Sequence, residues 1–328
     1  HYSGMLPGWI AGHYSIKELT IDTASLAHAA GARLIAAHAQ KLDLARRMAI
    51  TDGGQALEFD VLSIAIGAEV DVDAIAGARE RAVPLRPFGQ FVKQWPRIVG
   101  QAESAREPYR LTVIGGGAAG AETALAAAYR GRTMRLPIQV QLLGGGVPIL
   151  PGHCDRARAL VSSALINNGV KVLETVANRV ETEAVVTHNQ RLETDATLIA
   201  TGASATPWLR DTGLALDERG FIAVNSSLQS TSHPFVFGAG DAATLIETPR
   251  PKSGVYAVRA APTLAANLVA AVTAEPLAAF EPQRRALYLL TTGPKHAIAS
   301  WGTWATAGRW VWHWKNRIDR DYIAKLSR

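Results

Sequence analysis

Val113-Ile114-Gly115-Gly116-Gly117-Ala118-Ala119-Gly120-Ala121-Glu122 decides the fold of this chain. It satisfies Gly-x-Gly-x-x-Gly directly after a short β-rich run, Arg110 to Ile114, and directly before an alanine-rich stretch of helix formers, Thr123 to Arg130. In such a turn Gly115 permits the tight reversal, Gly117 lets the backbone approach a pyrophosphate, and Gly120 lets helix and strand pack closely. The phosphates would sit against free N–H groups at the helix start, where the helix dipole favours negative charge. The alternative is a glycine-rich turn with a purely structural role. With Ile138 to Leu143 as the next strand, the segment predicts a β-turn-α-β unit beginning near residue 110.

A dinucleotide site of this kind usually offers an acid about 20 residues on, at the end of the second strand, for the ribose hydroxyls. Here no Asp or Glu occurs from Thr123 through Cys154, and the strand ends in Leu143-Gly144-Gly145-Gly146. The motif reads as a site for NAD(P)H without a choice between NAD and NADP, and Arg130, Arg132 and Arg135 do not make that choice.

Outward from the fingerprint, residues 55–67 read as a turn and then a continuous apolar run ending in Gly67, the pattern of a strand buried on both faces; residues 193–202 repeat it and end in Gly202. Phe235 to Gly238 is a further strand candidate running into Ala239-Gly240-Asp241. An apolar helix is expected from about Gly254 to Val272, kinked or split at Pro262. Arg259, Pro262 and Asn267 argue against that helix as a transmembrane span. The Pro- and Gly-bearing segments around 84–108 and 203–220 predict a discontinuous flavin-type domain at 1–107 and 211–282, an NAD(P)-binding domain at 108–210, and a C-terminal region at 283–328.

The 328 residues, 48% of them hydrophobic, suffice for about two domains with real cores. The net charge of +6 suits anionic ligands or an anionic membrane face, and no nucleic-acid-binding motif accompanies it. The single cysteine, Cys154, excludes an intrachain disulfide and a CxxC redox pair and points to a cytoplasmic setting. The N-terminus does not read as a signal peptide. The histidines form no metal-ligand spacing, so no metal is expected.

Thr231-Ser232-His233-Pro234-Phe235-Val236-Phe237-Gly238-Ala239-Gly240-Asp241 resembles the flavin motif of the pyridine nucleotide-disulfide oxidoreductase superfamily, a strand ending in Gly-Asp. Ala65-Ile66-Gly67 and Ala200-Thr201-Gly202 resemble its paired signatures where the chain crosses between domains. YSGMLPGWIAGHYS at 2–15, ATPWL at 205–209, GLALDERGFIAV at 213–224, PKSGVYAVRAAPTLAANL at 251–268 and GRWVWHWKNRIDRDYI at 308–323 are similar to the type II NADH dehydrogenase-like family fused to, or encoded beside, selenide,water dikinase.

The resemblance implies an α/β fold of two Rossmann-like, glutathione-reductase-like domains with a C-terminal extension, binding FAD and NAD(P)H. Asp241 would accept a hydrogen bond from the ribityl chain of FAD and Gly240 would keep the backbone close; the other reading of Asp241 is an ordinary helix N-cap. Gly4, Met5, Leu6 and Pro7 would lie near the flavin, or form a plain turn. Gly254, Val255 and Tyr256 would start a helix pointing at the flavin pyrimidine, where its dipole favours negative charge, or simply start a helix. Glu122 would lie near the nicotinamide, or serve as a favourable acid in the first helical turn. The family's first strand, second glycine fingerprint, helix and strand, roughly 30 residues or more, do not precede Tyr2 in this sequence, and a truncated N-terminus is the expectation drawn from that.

Trp310, Trp314, Ile318, Tyr322 and Leu326 fall four apart on one helix face among Arg309, Lys315, Arg317, Arg320 and Lys325. The stripe reads as packing on the parent domain or on a homodimer partner, with peripheral membrane docking as the family-based alternative. The function expected is hydride transfer from NAD(P)H to flavin, with electrons passed to a small-molecule acceptor such as a quinone; no acid-base residue is needed for the hydride step itself. The competing expectation is a flavin-free scaffold module that partners selenide,water dikinase or another protein.

Overall fold

The computed structural model describes residues 1–327. The chain divides into two compact units, one of His1–Leu26, Val70–Gly202 and Leu287–Arg328, the other of Ala27–Glu69 and Ala203–Ala286.

The first unit is built on a five-stranded parallel sheet in the order Val83–Pro84, Ala196–Ile199, Tyr109–Ile114, Ile138–Leu143, Lys171–Leu173. Its two central strands are buried along almost their whole length, as parallel strands covered on both faces must be. The helix Ala118–Met134 packs on them through Ala121, Ala124, Leu125 and Ala128. Alanine, the best helix former, also lets that helix lie close to the sheet. It ends at Arg135, which is left-handed at φ 56°, two residues before Pro137. Leu111, Val113, Leu125, Leu142 and Leu198 are fully buried in this core, each contributing about 1.5–3 kcal/mol of transfer free energy.

The boundaries differ from those expected of the sequence. Residues 1–26 join the fingerprint unit because Leu6 and Ile10 bury against its helix core. Val83–Pro84 joins because it pairs with Ala196–Ile199. The C-terminal region is not a separate tail: the antiparallel strands Leu287–Thr291, Ala297–Trp301 and Trp304–Gly308 and the helix Arg309–Leu326 belong to the same unit. These contacts join segments far apart in sequence, and local composition carries no mark of them.

The second unit holds an antiparallel sheet of Ala39–Asp43, Met48–Thr51 and Ala56–Glu58 and two parallel strand pairs, Val236–Gly238 with Leu62–Ile64 and Ile222–Val224 with Ala243–Leu245. The buried strand expected up to Gly67 is only Leu62–Ile64, and Ile66 is exposed. The helix Gly254–Thr273 runs through Pro262 as one helix and is not split there. Buried Asn267 anchors it beyond the proline: its amide nitrogen donates to the carbonyls of Ser227 and Ala278, and its amide oxygen accepts from the Ala278 N–H. This helix is long and apolar enough to cross a membrane by length and composition, with 17% of its apolar window buried.

Candidate functional site

The fingerprint glycines of the first unit divide into those that pack and the one that stays open. A Cβ on Gly115 would lie 2.4 Å from the Ala200 carbonyl oxygen, and Gly115 has φ 128°. A Cβ on Gly120 would lie 1.8 Å from the Gly115 carbonyl oxygen. A Cβ on Gly117 would meet nothing within 4 Å. Gly117 is the N-cap of Ala118–Met134 and no side chain caps it, so the first helical N–H groups face open space. That is the cradle a pyrophosphate needs: close-packed beneath, unobstructed above, and positive at the helix end.

Beside it, Ile149 reaches both Gly116 and Gly144, and the Leu150 N–H donates to the Gly116 carbonyl at 2.7 Å. An open cleft extends from Pro148 and Ile149 past Asp155, Arg158 and Glu174. Two acids line it, Asp155 at the start of the helix Asp155–Asn167 and Glu174 just after the strand Lys171–Leu173. Sequence spacing from the fingerprint does not point to them. Gly202 is exposed where Ala196–Ile199 leaves the sheet.

Glu122 is not a solvent-facing acid of the first turn. It is half-buried, ringed by protein, and accepts from the Thr291 N–H at 2.7 Å and from the Thr291 hydroxyl at 3.0 Å. Burial pushes its carboxyl above the usual carboxylate range, against the pull of Lys315 and Thr291. Lys315 and Asp319, both buried on Arg309–Leu326, form an ion pair at 2.6 Å. Thr291 and Asp319 escaped the sequence reading, and Lys315 entered it only as one of the basic residues of the C-terminal helix; the one available signal was the Lys-x-x-x-Asp spacing, which on its own describes an ordinary exposed helix pair.

Met5, Leu6 and Pro7 are buried, and Met5 packs with Tyr14, Leu19, Val311 and Trp312. Their side chains belong to the core. Gly4 is held by its carbonyl, which accepts from Lys315 Nζ at 2.6 Å. A Cβ there would strike the Tyr2 ring.

In the second unit, Val236–Gly238 leads into the turn Gly240–Ala242. Gly240 has φ 66°, a conformation that favours glycine, and so sets the direction of Asp241. Gly254, Val255 and Tyr256 open the helix Gly254–Thr273, whose N-cap Ser253 makes no side-chain cap and whose Oγ is buried without a partner. Its first N–H groups therefore lack a side-chain acceptor. Lys252 lies 3.9 Å over the Phe221 ring and donates to Thr244 Oγ1 at 2.8 Å. Burial brings its ammonium down to about 8, with Asp217 and Asp241 opposing that fall. Gly67, at φ 77°, also belongs to this unit.

The C-terminal stripe packs on the parent domain only toward its end, where the Tyr322 ring lies 4.8 Å from that of Tyr2; its first three members do not pack as expected. Trp310, Trp314 and Ile318 are 54%, 38% and 43% exposed, and the helix is held through Val311, Trp312, Lys315 and Asp319. Trp310 and Trp314 stack at 6.2 Å, and the hairpin of Ala297–Trp301 and Trp304–Gly308 exposes Trp301 and Trp304 as a cross-strand pair.

Demethylphylloquinone reductase NdbB of Synechocystis sp. is 24% identical over 196 residues, 58% of this chain and 48% of its own length. The sulfide:quinone oxidoreductase from Aquifex aeolicus superposes with a TM-score of 0.82 at 16% identity, covering 99% of this chain and 82% of its own. NDH2 from Plasmodium falciparum, solved in complex with NADH, superposes at 0.76 and 13% identity over 98% and 90%. At these identities the two structures establish the fold. The chain spans about half the length of the curated relatives it matches, 48% and 44% of the first two. Residues 11–261 match the model of the pyridine nucleotide-disulphide oxidoreductase family. Over that span the chain belongs to the pyridine nucleotide-disulphide oxidoreductase family, FAD-dependent enzymes of two dinucleotide-binding domains that use NAD(P)H.

Proposed function

We propose that this chain acts as an NAD(P)H dehydrogenase that reduces a small two-electron acceptor of the quinone type. The observation that carries the proposal is the Gly115-Gly117-Gly120 cradle, tight where strand meets helix and open where a pyrophosphate would lie. Gly117 and the first N–H groups of Ala118–Met134 would bind the NAD(P)H pyrophosphate. Asp241, Gly240 and the uncapped start of Gly254–Thr273 would bind FAD, the helix end favouring negative charge on the ring it faces. FAD, when bound, takes hydride from NAD(P)H and returns electrons to the acceptor. One proton from solvent completes a two-hydrogen reduction.

Quinone is favoured over other acceptors by the name of the Synechocystis relative and by the exposed Trp301, Trp304, Trp310 and Trp314. Indoles of this kind settle at a membrane interface, where a lipid-dissolved acceptor is found. Arg309, Arg317, Arg320 and Lys325 on the same helix add attraction to anionic lipid. With FAD supplied, NADH oxidation is expected to accelerate on adding a short-chain quinone, and the protein is expected to co-sediment with anionic vesicles in low salt. Replacing Trp310 and Trp314 by serine should weaken sedimentation and leave soluble-quinone turnover intact. A rate indifferent to quinone would reject the acceptor; equal sedimentation of the variant would reject the surface.

A further inference from the structure

A cleft of about 600 Å³ in the first unit is lined by the turn at residues 12–15 and by the helices Phe88–Ser104 and Ala118–Met134. Sites for small molecules have volumes of roughly 300–1,000 Å³ and aromatic walls carrying a few placed polar groups. Trp9 and Trp95 supply the aromatic wall. Both indoles are fixed by Phe91, which Trp95 stacks on at 6.3 Å and Trp9 meets edge-on at 6.2 Å.

Arg130 supplies the charge, and its Nε is buried without a hydrogen-bond partner. Arg158 and Arg250 share that condition at Nε, but their terminal nitrogens are engaged: Arg158 Nη1 pairs with Asp155 at 3.2 Å and Arg250 Nη1 donates to the Pro249 carbonyl at 3.0 Å. Arg130 has no side-chain partner among the described residues. The backbone makes room for it. A Cβ on Gly12, which has φ 84°, would lie 2.1 Å from Arg130 Nη1 and displace the guanidinium. The other polar side chains of the turn are committed elsewhere: His13 Nε2 donates to the Gly293 carbonyl at 2.7 Å, the Tyr14 hydroxyl to Asn316 Oδ1 at 2.8 Å, and the Ser15 hydroxyl to Glu18 Oε2 at 3.0 Å.

We propose that this cleft binds a small aromatic monocarboxylate, its ring against Trp9 and Trp95 and its carboxylate on the Arg130 guanidinium. A buried donor without an acceptor is costly, and a ligand oxygen relieves that cost. The planar fork of a guanidinium matches a carboxylate, and indoles favour a flat ring. Glu103, exposed on the same cleft, opposes a second negative charge, so a monoanion is favoured over a phosphate dianion. The proposal is independent of the hydride chemistry.

Calorimetric titration of the whole chain in low salt with 2-naphthoate, and with its neutral isostere 2-naphthamide, tests it. The acid is expected to bind at least about ten-fold more tightly than the amide. Arg130→Met keeps the apolar stem and should bind both compounds alike, at the level of the amide; Arg130→Lys keeps the charge without the fork and should fall between. Heteronuclear NMR reads the location. The indole N–H signals of Trp9 and Trp95, identified with Trp9→Phe and Trp95→Phe, should shift on adding the acid, while those of the exposed Trp301, Trp310 and Trp314 stay. The proposal is overturned by equal affinity for acid and amide, by undiminished binding of the acid to Arg130→Met, by shifts confined to the exposed indoles, or by no binding of the acid at about 1 mM. The comparison of acid with amide needs only the wild-type chain, so a variant that fails to fold does not remove the test. No nicotinamide, flavin or quinone takes part, and the outcome is read separately from the proposed activity.

Discussion

Gly120→Ala is expected to unfold the fingerprint unit at a markedly lower temperature, while Gly117→Ala leaves its unfolding unchanged and weakens NAD(P)H binding at least about ten-fold. Two effects of opposite sign meet at Gly120. Helix propensity alone predicts that alanine stabilises a helical position by about 1 kcal/mol. The added methyl would stand 1.8 Å from the Gly115 carbonyl oxygen, and the obstacle is backbone, which no side-chain rotation can relieve. Overpacking of this kind costs about 1–3 kcal/mol or more, so the clash outweighs propensity and the net change is destabilising. At Gly117 the methyl meets open space, and a change within about 0.5 kcal/mol is expected. That open space is where the pyrophosphate approaches, and a loss of at least about ten-fold in affinity, roughly 1.4 kcal/mol, follows. Thermal unfolding and an NADH titration of both variants check the pair. Equal behaviour of the two glycines would show that the turn is structural only.

Asp241→Ala is expected to cost flavin retention about 10- to 100-fold, in line with the roughly 1.5–3 kcal/mol of a hydrogen bond to a charged group. Gly240 sits at φ 66° and aims the carboxylate, so Gly240→Val should do comparable damage through the backbone. Asp241→Asn keeps an acceptor oxygen and is expected to fall between wild type and alanine. Gel filtration of FAD-loaded protein, followed by the absorbance ratio of flavin to protein, measures all three. Undiminished flavin in Asp241→Ala would remove Asp241 from the cofactor site and leave it as a helix cap.

The fingerprint was legible because its chemistry is local. Gly120 packs on Gly115 as the spacing says, Gly117 stays open, and the strand Tyr109–Ile114 and helix Ala118–Met134 carry matching propensities; only the approach of Gly115 to Ala200 is long-range. The turn at Gly240-Asp241 after the strand Val236–Gly238 was legible for the same reason. What escaped was set by distant partners. Glu122 owes its surroundings to Thr291, 169 positions away, and Lys315 owes its to the Gly4 carbonyl, 311 positions away. The Trp310-Trp314-Ile318 stripe has the period of a packed face, yet Val311, Trp312, Lys315 and Asp319 do the packing. Periodicity identifies a face without saying which side meets the protein, and a buried Lys-Asp pair inverts the usual expectation that charge marks solvent. Pro262 does not split its helix: a proline removes one helical hydrogen bond, and the buried Asn267 contacts hold the helix on its far side.

The most direct test of the account is the visible spectrum of the purified chain supplied with FAD, recorded without oxygen before and after adding NADH. Retained flavin absorbance that bleaches with NADH and returns when a quinone is added is the result predicted. A chain that folds cooperatively, yet neither retains flavin nor alters the NADH spectrum, would contradict the oxidoreductase reading and leave the glycine cradle as architecture.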